Sequence, residues 1–497
     1  MERRAEEQTK QTNKPTLMND PSSQPKQDGV APQAASGSGS EGKEDRSGSA
    51  GTGAAAGKDR SPAEVSVKKV LNEEMMSSIL KPENLRAAYT KVKANKGAPG
   101  IDGIGVEELA AHVRRHWSGI QAKLEKGTYK PAPVRRVVIP KPGGGERKPG
   151  IPTTVDRLTQ QAMVGVLDPI FDPGMSERSY GFRRNRSAYD AVKAAQGYVH
   201  EGKTWVVDLD IKAFFDHVNH DILMRAVGQK VRDKTLLRLI GSYLRAGVLE
   251  NGKVSKSTVG VPQGGPLSPL LANIYLDALD KELESRGVAF CRYADDITIY
   301  AGSERSAQRI YESIVKWIVK WIEKVLRLEV NREKSRVRPP DEGSFLGYRI
   351  DKKGRLDLSE KSLKRFQEKV REHFDNRRKK KTTKAIRDHW LTYLKGWYGY
   401  FRLVEVPWRF TVISKWIRRH VRKLFWQRWH KSDGRRNALR RLGLPPHQVL
   451  LGGCGRGAWR MAAHAVMHTA LNNKRLIKYG FLTPSDLAKA SDSEMRS

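Results

Sequence analysis

Apolar positions along the chain fall into three regimes. Residues 1–61 carry almost no large apolar side chains; Gln, Ser, Gly, Ala and Lys dominate, and Ser36 to Ser40 simply alternate with glycine. Such a stretch buries too little apolar surface to offset its ordering entropy, which predicts a disordered tail. Between residues 62 and 360, short apolar runs alternate with helical patterns and Gly/Pro turns, predicting a mixed α+β region. From residue 361, basic helical patterns rich in tryptophan take over, with no strand signal of comparable strength. Val412, Ile413, Trp416, Ile417, Val421, Leu424 and Phe425 recur there at helical spacing, while Lys415, Arg418, Arg419, Arg422 and Lys423 fill the other positions. That pattern predicts an amphipathic helix with a cationic face.

Length and charge sharpen this picture. A chain of 497 residues exceeds one ordinary domain, so two to four folded units are expected. Lys and Arg number 92 against 55 acids, a formal charge of +37, which argues for a polyanionic partner, nucleic acid first. No apolar run approaches the roughly 18 residues of a membrane span, and the polar N-terminus does not read as a signal peptide. A cytoplasmic protein is expected, with nucleoid association left open. Cys291 and Cys454 stand far apart and form no Cys-x-x-Cys pair, so they read as buried thiols in a reducing compartment. The run Arg377-Arg378-Lys379-Lys380-Lys381 makes a phosphate-facing role the favoured reading for this half. Its candidate nucleic-acid contacts are Arg377, Arg378, Lys379, Arg418, Arg419 and Arg422.

Acids within β-forming segments supply the candidate chemistry. Phe290 to Tyr300 encloses Ala294-Asp295-Asp296 between β-formers, a hairpin with carboxylates at its tip. Upstream, Val206-Val207-Asp208-Leu209-Asp210 is an apolar strand whose two acids share one face. A carboxylate on a buried strand needs a cation, and a salt bridge and a metal stand as equal alternatives for these two. Brought together, strand and hairpin carboxylates would form an oxygen-rich site suited to Mg²⁺. Between them, Val259 to Pro269 forms a Gly/Pro loop whose backbone could approach a base pair closely, with Gln263 as donor and acceptor.

The order of these segments, ending in Tyr293-Ala294-Asp295-Asp296, resembles the palm of reverse transcriptases, and the alanine before the acids resembles the group II intron lineage. The resemblance implies that Asp210 and Asp295 hold two Mg²⁺ ions with Asp296 adjacent, that Asp208 is a lesser candidate, and that Phe215 is the aromatic gate against a ribose 2′-hydroxyl. Asn95 to Gly103 resembles an N-terminal extension motif, and Ile139 to Pro142 with Arg147 to Arg157 resembles the fingers. There Lys141, Arg147 and Arg157 are apt for a triphosphate. Tyr180-Gly181-Phe182-Arg183, Leu328 to Ser335 and Phe345 to Tyr348 continue the pattern, with Lys334 taken as a nucleic-acid contact and Ser335 standing where threonine is usual. Leu394 to Phe401 resembles the maturase-specific thumb, domain X; its aromatics read as core, with base stacking as the alternative.

The expected architecture is thus α+β: a right-hand polymerase with fingers and palm at 62–360, then an α-helical thumb/maturase domain at 361–442. Residues 443–497 are expected to be a DNA-binding segment, too short for an H-N-H endonuclease and lacking its cysteine pairs. The implied function is RNA-directed DNA polymerisation, with binding of group II intron RNA to assist splicing and retromobility. Intron RNA, a DNA target and primer, and dNTPs are the partners, with a homodimer left open and no membrane. Alternatives are a domesticated reverse transcriptase in DNA repair, or an RNA-binding splicing factor with an idle polymerase site.

Overall fold

The computed structural model describes residues 74–140, 146–321, 326–374 and 382–494. The predicted tail 1–61 and the candidates Lys141, Arg377, Arg378 and Lys379 lie outside them. Strands occur only up to residue 358 among the described residues, as the periodicity predicts. In chain order they are β1 (Val134–Arg136), β2 (Ile139–Pro140), β3 (Glu146–Arg147), β4 (Gly150–Ile151), β5 (Trp205–Asp210), β6 (Val248–Glu250), β7 (Lys253–Ser255), β8 (Ala289–Tyr293), β9 (Asp296–Ala301), β10 (Arg336–Arg338), β11 (Tyr348–Ile350) and β12 (Leu356–Leu358). Sheet order β4-β1-β6-β7 builds the fingers side, and β10-β5-β9-β8 is the palm sheet.

Period-two alternation gives the palm sheet two buried faces. Val207, Leu209, Phe290, Ile297 and Ile299 point into one apolar core, formed with helices Thr154–Phe171, His220–Gly228, Lys234–Arg245 and Ser268–Ser285. Val206, Ala289, Cys291 and Tyr300 point into a second core beneath helix Ala188–His200. Asp208 and Asp210 share the second face with Val206. The core covers that face at one end only, and the other end is left to the carboxylates.

The second core runs on without a break into the helical region. Ser359 and Thr382 cap helices Glu360–His373 and Thr383–Phe401 by accepting from backbone N–H groups, the usual role of a hydroxyl at that position. Trp390, Leu394, Trp397 and Phe401 are buried, and Phe366 stacks on Trp397 with centroids 3.8 Å apart. Trp397 and Phe401 are therefore core, with Tyr398 and Tyr400 half-buried against it. Residues 443–494 have no separate core among the described residues, since Val449, Met461, Met467, Leu471, Leu476 and Phe481 join the same cluster.

That wrapping corrects the expected cationic face of helix Pro407–Arg428. Arg418 is buried and holds both oxygens of Asp486 at 2.8 Å; Arg422 is buried and donates to the Leu471 carbonyl at 3.0 Å and to Asn473 at 3.3 Å. Neither faces phosphate, because the C-terminal helices cover this side and supply the counter-charge and acceptors. Arg419 lies 4.0 Å from the Trp459 ring centroid and donates to its carbonyl, keeping part of its surface open. Arg418→Met is accordingly expected to lower stability by roughly 3 kcal/mol, by stranding Asp486, while leaving RNA affinity unchanged. Denaturant unfolding and filter binding check this; weakened RNA binding at full stability would contradict it.

Candidate active site

The hairpin forms as its sequence predicts. β8 and β9 pair in the register Tyr293↔Asp296, leaving Ala294 and Asp295 as a two-residue tip. Of these two only Ala294 has positive φ (57°), as the first position of a type II′ turn requires. Pairing of β5 with β9 sets Asp210 directly opposite Asp296. The upstream strand acid and the hairpin acids therefore meet at the uncovered end of the palm sheet.

Like charges directly opposed on adjacent strands repel, and the electrostatics show it. Burial raises the Asp295 carboxyl above its ordinary range, Asp210 adds to the rise, and Arg147 and Arg292 oppose it. Asp296 keeps a solvent-facing edge but is pushed up to about 6, by desolvation first and then by Asp295, Asp210 and Asp208; Arg147 again opposes. Arg147, exposed on β3 of the fingers, thus exerts its charge on both hairpin acids. Among the described residues no group of three or more His, Cys, Asp or Glu side chains is arranged to hold a metal ion by itself.

Asp208 and Asp210 part company despite sharing a face. Asp208 accepts from Arg338 at 2.6 and 2.9 Å, the salt-bridge alternative, through the antiparallel β5–β10 pair. Asp210 is left with Lys334 at 3.8 Å, so Lys334 sits beside the carboxylate site. The Asp210 N–H donates to Ser335 Oγ at 3.1 Å, and the Asn331 N–H donates to the Asp210 carbonyl at 2.8 Å. The 331–335 segment thereby fixes the strand end.

Phe215 lies half-buried just beyond β5, edge-on to Phe214. The Val261 N–H donates to its carbonyl at 2.7 Å, and Gly260 (φ +88°) has that carbonyl 3.0 Å from where a Cβ would sit. The Gln263 loop docks on the fingers: Gly150 N–H donates to the Gln263 carbonyl at 2.7 Å, and a Cβ at Gly264 would lie 2.6 Å from the Gly150 oxygen. The structure thus brings Phe215 and Gln263 to the palm while tying β4, and the β3 hairpin before it, to the same floor. Arg157 is corrected: it is buried and donates to the Ala98 carbonyl at 2.8 Å, clamping the 97–100 loop instead of facing a triphosphate.

Sequence reasoning missed the brace under the hairpin. Arg292, fully buried, holds both oxygens of Asp280 (2.7 and 2.5 Å), Asn273 Oδ1 (2.9 Å) and the Ala294 carbonyl (3.0 Å). An arginine between Cys291 and Tyr293, in an otherwise apolar strand, was the available signal, since a buried guanidinium demands a partner.

A family model described as reverse transcriptase (RNA-dependent DNA polymerase) matches residues 139–350, and one for the group II intron maturase-specific domain matches 363–443. Protein YkfC of Escherichia coli is 32% identical over 322 residues, 56% of this chain and 84% of that protein. Group II intron-encoded protein LtrA of Lactococcus lactis is 39% identical over 211 residues, 41% of this chain but 34% of LtrA. A chain of a solved Cas6-RT-Cas1–Cas2 complex aligns at 26% identity and a TM-score of 0.32, over 51% of this chain and 43% of the other. With both family matches in chain order, and with most of YkfC covered, this chain belongs to the group II intron-encoded reverse transcriptase/maturase family.

Proposed function

We propose that the chain copies RNA into DNA at Asp210, Asp295 and Asp296, and that it binds group II intron RNA to assist splicing and retromobility. The observation that carries the reading is the direct opposition of Asp210 and Asp296, with Asp295 at the hairpin tip beside them. Asp210 raises the proton affinity of both hairpin acids, so the three carboxylates form a donor set short of positive charge. Oxygen ligands open to water and substrate phosphate suit Mg²⁺, which is commonly held by one or two carboxylates and completes its shell with water and phosphate oxygens. When bound, two such ions would supply activation of a primer 3′-hydroxyl and neutralise the departing pyrophosphate.

The chain's own residues divide the remaining work. Arg147 would meet the incoming triphosphate from the fingers side, where it already offsets the hairpin acids. Phe215 would bar a ribose 2′-hydroxyl, and the Gln263 loop would meet the nascent base pair. Lys334, beside Asp210, would balance charge at the same end of the site rather than contact a distant phosphate. Asp208, engaged by Arg338, would stay outside the set of carboxylates that hold the ions.

Purified protein given a primed RNA template, dNTPs and Mg²⁺ is expected to extend the primer, to stop when the metal is chelated, and to prefer dNTPs over rNTPs. Failure to extend sinks the polymerase reading. Acceleration of group II precursor RNA splicing by the same preparation tests the maturase part, and no acceleration at saturating protein sinks that part alone.

A further inference from the structure

One residue beside the catalytic hairpin is held in a conformation that its side chain opposes. Phe182 lies at φ +60°, where a bulky residue is a genuine outlier, and the residue is 51% exposed. The backbone on both sides is fixed by buried groups. Asn273, itself bonded to Arg292, donates to the Gly181 carbonyl at 2.8 Å. Gly181 is pressed so closely on the hairpin that a Cβ there would lie 2.3 Å from the Ala294 nitrogen. On the other side Arg183, buried, donates to Asp172 Oδ1 at 2.6 Å, to the Asp172 carbonyl at 2.8 Å and to the Ser176 and Ser179 carbonyls at 2.5 and 3.0 Å.

The Phe182 ring reaches Tyr293, the residue paired with Asp296, at a centroid separation of 6.5 Å. Glycine would adopt this backbone freely, so packing of the loop does not call for phenylalanine. Strain maintained on both sides to present an open aromatic surface next to reacting groups points to a ligand for that surface. The nearest ligand available to an exposed ring beside polymerase carboxylates is the nucleic acid they act on, whose bases and sugars stack on aromatics whatever their sequence.

We propose that Phe182 and Tyr293 form an aromatic platform for a base or sugar of the bound template–primer next to the catalytic hairpin. The proposal rests on the polymerase reading above. Phe182→Gly relieves the backbone outlier and removes the ring, so it separates a folding role from a binding one. Template–primer binding by fluorescence anisotropy and primer extension would be measured for wild type, Phe182→Gly and Phe182→Tyr. Phe182→Gly should melt at the wild-type temperature or higher, and should weaken binding, with a parallel rise in KM for template–primer, by roughly ten-fold or more. Phe182→Tyr should restore both.

Wild-type affinity in Phe182→Gly overturns the platform, and so does a clearly lower melting temperature, because the ring would then be packing on Tyr293. If the wild type binds template–primer but never extends it, the polymerase reading falls, and the anisotropy comparison still decides the fate of Phe182.

Discussion

Asp295→Asn is expected to reduce primer extension by about 10³-fold or more while leaving RNA affinity unchanged, because it alters the charge of the site and almost nothing else. The amide fills the same volume at the hairpin tip, and Ala294 keeps its turn and its bond to Arg292. What is lost is one of the three carboxylates proposed to hold the cations, and one of the charges that raise Asp296. The crowding of these charges has a signature in stability. The Asp296 carboxyl sits at about 6 when folded, against 3.8 for the free group, so between these values the folded state holds more proton than the unfolded one. In chelator, wild type should therefore gain stability as the pH falls from about 6 towards 4. Asp295→Asn, which removes one of the charges raising Asp296, should flatten that slope, and Mg²⁺ should flatten it in wild type. Near-normal extension by Asp295→Asn would remove this residue from the chemistry.

Asp280→Ala should be among the most destabilising single changes in the chain. Arg292 and Asp280 have no exposed side-chain surface, so deleting the carboxylate leaves a guanidinium buried without its counter-charge. Breaking such a pair costs about 3–5 kcal/mol, which denaturant unfolding would read directly. The apolar double replacement Arg292→Met with Asp280→Leu should recover much of that loss, since desolvating the pair offsets most of its Coulombic gain. Activity should not recover with it. Arg292 also anchors the Ala294 carbonyl, and with it the hairpin tip that carries Asp295. Recovery of stability and turnover together would show that the brace serves folding alone; a low kcat at restored stability would show that it aims the carboxylate.

These two residues illustrate how far the sequence carries. Alternation in 206–210 and 290–300 follows from backbone geometry, so the strand, the hairpin and the shared face of Asp208 and Asp210 were legible from one chain. That Asp210 and the hairpin acids lie together was expected from the order of motifs, and the β5–β9 register sets them opposite one another. The partner of each charge was not legible. Asp208 and Asp210 look alike in sequence, yet Arg338, 130 positions beyond Asp208, takes one and leaves the other with only the more distant Lys334. Arg292 could be suspected of needing a counter-ion, but only the packing of helix Ser268–Ser285 on β8 names Asp280.

The basic half shows the same division. Helical spacing from Val412 to Phe425 predicted a helix, which the structure extends to Pro407–Arg428, while the face its arginines would present depended on chain outside the periodic window. Residues 464–494 fold back to bury Arg418 and Arg422, and they supply Asp486 and the Leu471 carbonyl in place of phosphate. The sequence by itself determined the elements, the order of the motifs and which acids stand on the palm strand and hairpin, because these depend on local dihedral preference and short-range periodicity. Only the tertiary structure decided which of the charges stay free, because charge pairing is set by whatever distant segment reaches a side chain before water or a ligand does.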